Sequence, residues 1–211
     1  PCFGTISRII KLNRHSKVIA INDNVIPHEK RPFDNMLIRY FINSCNGFIC
    51  MSKNVLDDLR KFDSKKPALL TPHPIFSNFG KPVTKEKALT ELELDPAYQY
   101  VLFFGFIRAY KGLDLLLKAM SDERINKINI KLIIAGEFYE NPQYYLNLIE
   151  ELGLKEKVIL KTEFIQNSDV YKYFCACDIV VQPYKSATQS GVTQIAYHFE
   201  KPMIVTNVGG L

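Results

Sequence analysis

The stretch 178–206, DIVVQPYKSATQSGVTQIAYHFEKPMIVT, constrains the fold more than any other part of this chain. It reads as an apolar strand (179–181), a polar loop (182–189), an amphipathic helix (190–199), a stop at Pro202 and a second apolar strand (203–205). Two strands joined through a helix run parallel in one sheet, because the crossover returns the chain to the end it left. On the helix, Val192, Ile195, Ala196 and Phe199 recur at the spacing of a core face, while Gly191, Gln194 and His198 share another. Thr188, Gln189, Ser190 and Gly191 bring hydroxyls, an amide and backbone N–H groups to the helix opening, which makes it a ready anion site. The plainer alternative is a serine cap on a core helix.

Strands and helices alternate along the rest of the chain. The first half gives a helix ending near 7–12, a strand at 18–21, and a helical stripe of Met36, Leu37, Tyr40 and Phe41. A strand at 47–51, a Ser52-capped helix with Val55, Leu56 and Leu59 inward, and a strand at 68–70 follow. TPHPIFSNFGKP (71–82) breaks this pattern with its prolines and reads as a connection, followed by a helix at 84–92. The second half gives strands at 100–104, 130–135 and 158–160, with helices at 113–120, 143–152 and 168–174. Leu113, Leu116, Leu117 and Met120 form one core stripe, and Tyr145, Leu148, Ile149 and Leu152 another. The expected fold class is α/β, with two doubly wound Rossmann-like domains. Residues 1–71 form the later part of the first, 72–99 the link and 100–211 the second. The opening, PCFGTISRII, reads like the interior of a fold, so the chain is expected to be a piece of a longer protein with both domains incomplete.

Charge is divided unevenly. Residues 1–90 carry 15 Lys+Arg against 7 Asp+Glu, and residues 91–211 carry 12 against 15. The basic first half suggests an anionic neighbour such as a membrane surface or an acidic substrate. Nucleic acid fits less well, because no aromatic-plus-basic binding motif accompanies the charge. No apolar run reaches membrane-spanning length. Five cysteines (Cys2, Cys45, Cys50, Cys175, Cys177) form no CxxC and no metal-ligand set, the pattern of reduced thiols in a cytoplasmic protein.

The chemistry is concentrated in GFIRAYKG (105–112). Gly105 ends a buried strand, Arg108 and Lys111 follow, and Gly112 leads into a helix. A lysine beside a helix opening is misplaced electrostatically unless an anion sits there too. Two cations, two glycines and a helix start at one strand end therefore read as a phosphate cradle. The SATQSG helix opening lies on the same sheet edge, so the two loops are placed to hold a diphosphate from two sides.

FFGFIRAYKGLDLLLKA, DIVVQPYKSATQSG and KPMIVTNVGG resemble the C-terminal domain of retaining glycosyltransferases of the GT-B fold, family 4 type. DNVIPHEKRPFD and TPHPIFSNFG resemble the end of the N-terminal domain and the link in one bacterial branch. The resemblance implies a nucleotide-sugar donor, UDP- or GDP-linked, and a glycan, lipid-linked or other acceptor, as in polysaccharide biosynthesis, while the basic first half suggests an acceptor that is anionic or lipid-linked at an inner membrane surface. It implies no cofactor and no bound metal, in keeping with the missing Asp-x-Asp. Gly105, Arg108, Lys111 and Gly112 would hold the diphosphate, with Gln189, Ser190 and Gly191 closing over it. Glu137, Phe164, Thr188 and Gln194 would serve the donor sugar and nucleoside. Asp23, His28 and Glu29 would face the acceptor hydroxyl as catalytic candidates, against the alternative of an ordinary polar loop. Where the family pattern has two glutamates this chain has Ala187 and Ile195, and the arginine usual after the strand glycine is Phe106. Gln194 is the expected substitute at the ribose, and Gln189 or Thr188 at the sugar. The two missing carboxylates keep open a second reading, a non-catalytic protein of this fold that binds a nucleotide sugar or a partner.

Overall fold

The computed structural model describes residues 2–12, 15–27 and 32–211. The chain forms two compact units. One is Pro1–Pro74 with Ser186–Gln189 and Val208–Leu211, and the other is Ile75–Lys185 with Ser190–Asn207.

The first unit runs α1 (Cys2–Leu12), β1 (Ile19–Asn22), α2 (Asp34–Ser44), β2 (Gly47–Cys50), α3 (Lys53–Phe62) and β3 (Ala68–Leu70). Its three strands are parallel in the order β1-β2-β3, with Ile19 opposite Gly47 and Phe48 opposite Ala68. Ile42, Cys45, Phe48, Cys50, Val55 and Leu59 make the core. The expected cap on α3 is present: the Val55 amide donates to Ser52 Oγ at 3.3 Å. The α2 stripe is rotated from the expected one. Ile38, Phe41 and Ile42 face the core, and Met36 is 61% exposed. At about 100° per residue, Met36 lies roughly a third of a turn from Ile42, and the packing of Ile42 fixes the buried face.

The second unit begins with α4 (Lys85–Glu91) and β4 (Gln99–Phe104), then a 3-10 turn (Ala109–Lys111), α5 (Leu113–Met120), α6 (Glu123–Asn126) and β5 (Ile130–Ala135). It continues with α7 (Gln143–Glu151), β6 (Val158–Lys161), α8 (Val170–Ala176), β7 (Ile179–Gln182), α9 (Gly191–His198) and β8 (Met203–Val205). All five strands are parallel, in the order β6-β5-β4-β7-β8. Strand β4 alternates Tyr100 and Leu102 into one core with Val101 and Phe103 into the other, so the sheet is buried on both faces. Each expected helical stripe packs there: Leu113, Leu116, Leu117, Met120, Tyr145, Leu148 and Ile149 on one side, and Val192, Ile195, Ala196 and Phe199 on the other. Phe76 and Phe79, from the proline-rich stretch, and Val83 just after it join Ala88 and Leu89 in the second of these cores. The 3-10 turn and α6 have no counterpart in the sequence reading, because elements of three and four residues are too short to show a period.

The strand order reverses between β4 and β7. Chain order runs outward from β4 through β5 to β6, then returns to β7 and β8 on the opposite flank. Parallel sheets of this kind leave a crevice beyond the strand C-termini at that reversal, and ligands bind there. All five cysteines are free thiols, four of them buried and Cys2 exposed. Among the described residues no helix is long and apolar enough to cross a membrane.

Candidate functional site

The reversal places two loops side by side in the second unit. Gly105 closes β4 with φ +93°, a left-handed conformation that glycine adopts without strain. A Cβ built there would lie 3.1 Å from Lys111 Nζ and 3.6 Å from Val192 Cγ2, so the lysine and the first turn of α9 both close on this glycine. Gly112, at φ +69°, ends the 3-10 turn and starts α5, and a Cβ on it would stand 2.0 Å from the Pro183 carbonyl oxygen. The turn is therefore pressed against the loop that follows β7, which fixes where Lys111 can point.

Lys111 is partly buried, and among the described residues its ammonium has no hydrogen bond and no ion pair. Burial, reinforced by the nearby Arg108 guanidinium, lowers its pKa from the usual lysine value to about 8. Asp114, three residues on, is occupied elsewhere, in an ion pair with Lys185 at 2.8 Å. Instead of a carboxylate, Lys111 faces the Tyr184 ring, 5.6 Å from its centroid. Tyr184 is 3% exposed, and burial pushes its hydroxyl up to about 12, so it is neutral at physiological pH. Its hydroxyl lies 3.3 Å from Ser190 Oγ.

That contact speaks against the serine-cap reading of the α9 opening. Ser190 occupies the cap position, yet its side chain makes no capping bond. With the hydroxyl turned to Tyr184, the first N–H groups of the helix are left open to an incoming acceptor. Gly191 begins α9; a Cβ there would meet Phe76 at 3.0 Å, so the missing side chain makes room for packing. Gln194 is half-buried on the same helix face as His198, whose Nε2 lies 3.0 Å from the Gly80 carbonyl oxygen.

Arg108 stacks its guanidinium over the Tyr139 ring, 3.5 Å from the centroid. The two loops that carry them are joined by backbone bonds: the Ile107 amide donates to the Glu137 carbonyl at 2.8 Å, and the Tyr139 amide to the Ile107 carbonyl at 3.1 Å. Glu137 thus contributes its main chain to loop geometry. Phe164, 62% exposed, rims a cavity of about 390 Å³ beyond the end of β6, with Thr162, Glu163 and Tyr173.

The remaining candidates lie in the first unit. Gln189 Nε2 donates to Asp23 Oδ1 at 3.0 Å, and Thr188 Oγ1 to the Asp23 carbonyl at 3.3 Å. The Gln189 amide oxygen is buried and, among the described residues, has no partner. Ala187 and Thr188 line a cavity of about 520 Å³ with Pro27, Asn54, Asp57 and Asp58. His28 and Glu29 lie outside the described residues. Sequence reasoning missed Tyr184 and Tyr139. Both were visible only as aromatic residues just past strand ends, in QPYK and GEFY, where nothing local shows which cation they face.

The family model described as "Glycosyl transferases group 1" matches residues 84–211. A D-inositol 3-phosphate glycosyltransferase of Segniliparus rotundus is 31% identical over 134 residues, 62% of this chain and 30% of that protein. An alpha-monoglucosyldiacylglycerol synthase of Streptococcus pneumoniae is 29% identical over 168 residues, 75% of this chain and 36% of that protein. The chain thus spans about a third of the length of these curated relatives. Among solved structures, sucrose-phosphate synthase from Thermosynechococcus elongatus superposes with a TM-score of 0.80 at 18% identity, covering 99% of this chain and 54% of that one. Anabaena HepE, solved in complex with UDP and glucose, gives 0.76 at 16% identity, covering 98% and 57%. These two likenesses concern the fold, which is the GT-B type. With more than half of its length matched by the family model, the chain belongs to the glycosyl transferases group 1.

Proposed function

We propose that the protein of which this chain forms part transfers a sugar from a UDP- or GDP-linked donor to a glycan or lipid-linked acceptor, with retention and without a bound metal or other cofactor. The observation that carries this reading is the Lys111 ammonium, partly buried beside Gly105 and the open N-terminus of α9, with no carboxylate partner among the described residues. A cation held at that cost is stabilised when an anion arrives, and a diphosphate is the anion whose size and charge suit two converging loops. As the glycosidic bond breaks, negative charge accumulates on the departing diphosphate. Lys111, Arg108 and the α9 amides then interact more strongly with the transition state than with the bound donor. Pre-placed cations do the electrostatic work that a metal does elsewhere.

Asp23, His28 and Glu29 remain our candidates for orienting the acceptor, Thr188 and Gln189 for the donor sugar, and Glu137, Phe164 and Gln194 for the nucleoside. The basic first half of the sequence supports a cytoplasmic protein that meets an anionic membrane surface peripherally.

The test is a thermal-shift and turnover series on the full-length protein with UDP-, GDP- and ADP-sugars. One donor class is expected to raise Tm and to be consumed with EDTA present, giving a product of unchanged anomeric configuration. Lys111→Ala is expected to weaken donor binding by about 1.5–3 kcal/mol, the scale for hydrogen bonds to charged groups. Unchanged affinity in that variant removes the phosphate assignment. A second reading is favoured by Ala187 and Ile195, both buried and apolar where the family pattern carries carboxylates. On that reading the donor binds with the same dependence on Lys111 and no donor is consumed with any acceptor.

A further inference from the structure

We infer that Tyr139 is a positioning residue for the donor diphosphate: its ring stations the Arg108 guanidinium at the mouth of the cradle. The inference rests on the phosphate assignment proposed above. An arginine on a loop has several rotatable bonds, and ordering it on ligand arrival costs conformational entropy. Here much of that ordering precedes the ligand. The guanidinium carbon lies over the ring, 3.5 Å from its centroid. The backbone that carries the ring is held by the two bonds that join residues 137–139 to Ile107 and by the parallel bridge between Ile107 and Phe138. Phe138 in turn packs against Tyr145 of α7, with centroids 5.8 Å apart and the rings tilted by 31°. Arg108 is thus tied through one aromatic face to a helix of the core.

The stacked position is also the useful one. Arg108 and Lys111 flank one 3-10 turn, with the Lys111 amide donating to the Arg108 carbonyl at 3.0 Å, so an Arg108 held on Tyr139 stays on the loop that carries Lys111. An aromatic ring orients a cation through its quadrupole and leaves the net positive charge in place, whereas a carboxylate in the same position neutralises it. Tyr139 is 52% exposed, so its ring can be removed without opening the core.

The experiment is calorimetric titration of UDP and GDP into the full-length protein carrying Tyr139→Ala, Tyr139→Phe, Arg108→Ala, and Arg108→Ala with Tyr139→Ala, alongside Lys111→Ala. Tyr139→Ala is expected to weaken diphosphate binding about two- to fivefold, the scale of an exposed cation–π contact. Tyr139→Phe keeps the ring face and is expected to stay within about twofold of wild type. In the Arg108→Ala background, loss of Tyr139 is expected to cost almost nothing further, because the two side chains act as one unit. Three results overturn the inference: full affinity in Tyr139→Ala, a phenylalanine variant as weak as the alanine one, or equal losses with and without Arg108. If Lys111→Ala still weakens binding in any of those cases, the donor site stands and only the role of Tyr139 falls. If neither nucleotide binds the wild-type protein, both fall.

Discussion

Lys111 is held by its surroundings at a cost to the folded state. Its ammonium is partly buried without a carboxylate partner among the described residues, and its pKa is lowered to about 8. In the unfolded chain it reverts to the ordinary lysine value, so between the two values the unfolded state binds more protons and stability rises with pH. Below about 8 both states are protonated and the full cost is present. Two outcomes are expected. Replacing Lys111 by methionine raises the nucleotide-free Tm at neutral pH, by about 1–3 kcal/mol in stability, and flattens the rise in stability between pH 8 and 10. The same variant loses the stabilisation that a nucleoside diphosphate gives to wild type. Melting curves across pH, with and without nucleotide, check both. A wild-type stability that fails to rise in that window contradicts the burial argument.

At the scale of single elements, two helix openings with serine in the cap position behave differently. Ser52 caps α3 through the Val55 amide, and its hydroxyl also donates to the Thr188 carbonyl at 3.0 Å. Ser52→Ala is therefore expected to cost about 1–2 kcal/mol in chemical denaturation. Ser190 caps nothing and stabilises the Tyr184 hydroxyl instead. Tyr184→Phe combined with Ser190→Ala removes both members of that contact, and the expected cost is below about 1 kcal/mol. A combined cost as large as that of Ser52→Ala means Ser190 does cap the helix in solution. The 3-10 turn before α5 depends on Gly112. Gly112→Ala adds a Cβ 2.0 Å from the Pro183 carbonyl oxygen at a positive φ, so the loop after β7 must retreat. A loss of at least about 2 kcal/mol is expected, with weakened diphosphate binding, because the retreat moves Lys111 and Tyr184 apart.

Across the whole molecule, the basic character of residues 1–90 belongs to long-range electrostatics and not to any one contact. If the protein meets an anionic membrane, vesicles containing phosphatidylglycerol are expected to retain it at low salt and release it at high salt, while neutral vesicles do not retain it. Retention insensitive to salt points to apolar contact instead. The alternating pattern of short apolar runs and striped helices was legible in the second unit, because the central strands of a parallel sheet covered on both faces are uniformly apolar and the helices over them are one-sided. The rotated stripe of α2 was not, since Met36 satisfies the period as well as Ile42 does and only packing against the sheet separates them. Gly105, Arg108, Lys111 and the α9 opening were legible as a cluster of residue types suited to an anion. Their convergence follows from the reversal of strand order between β4 and β7, which local sequence does not encode. What the sequence determined by itself is the sheet-and-helix plan and the kinds of groups at its strand ends, because both repeat at short, local spacing. Only the tertiary structure decided that Lys111 goes without a carboxylate among the described residues, that Ser190 turns to Tyr184, and that Tyr139 meets Arg108. The Tyr139–Arg108 contact joins two loops that follow the neighbouring strands β4 and β5, and the Ser190–Tyr184 contact depends on how the one loop between β7 and α9 closes, so neither is set by a local repeat.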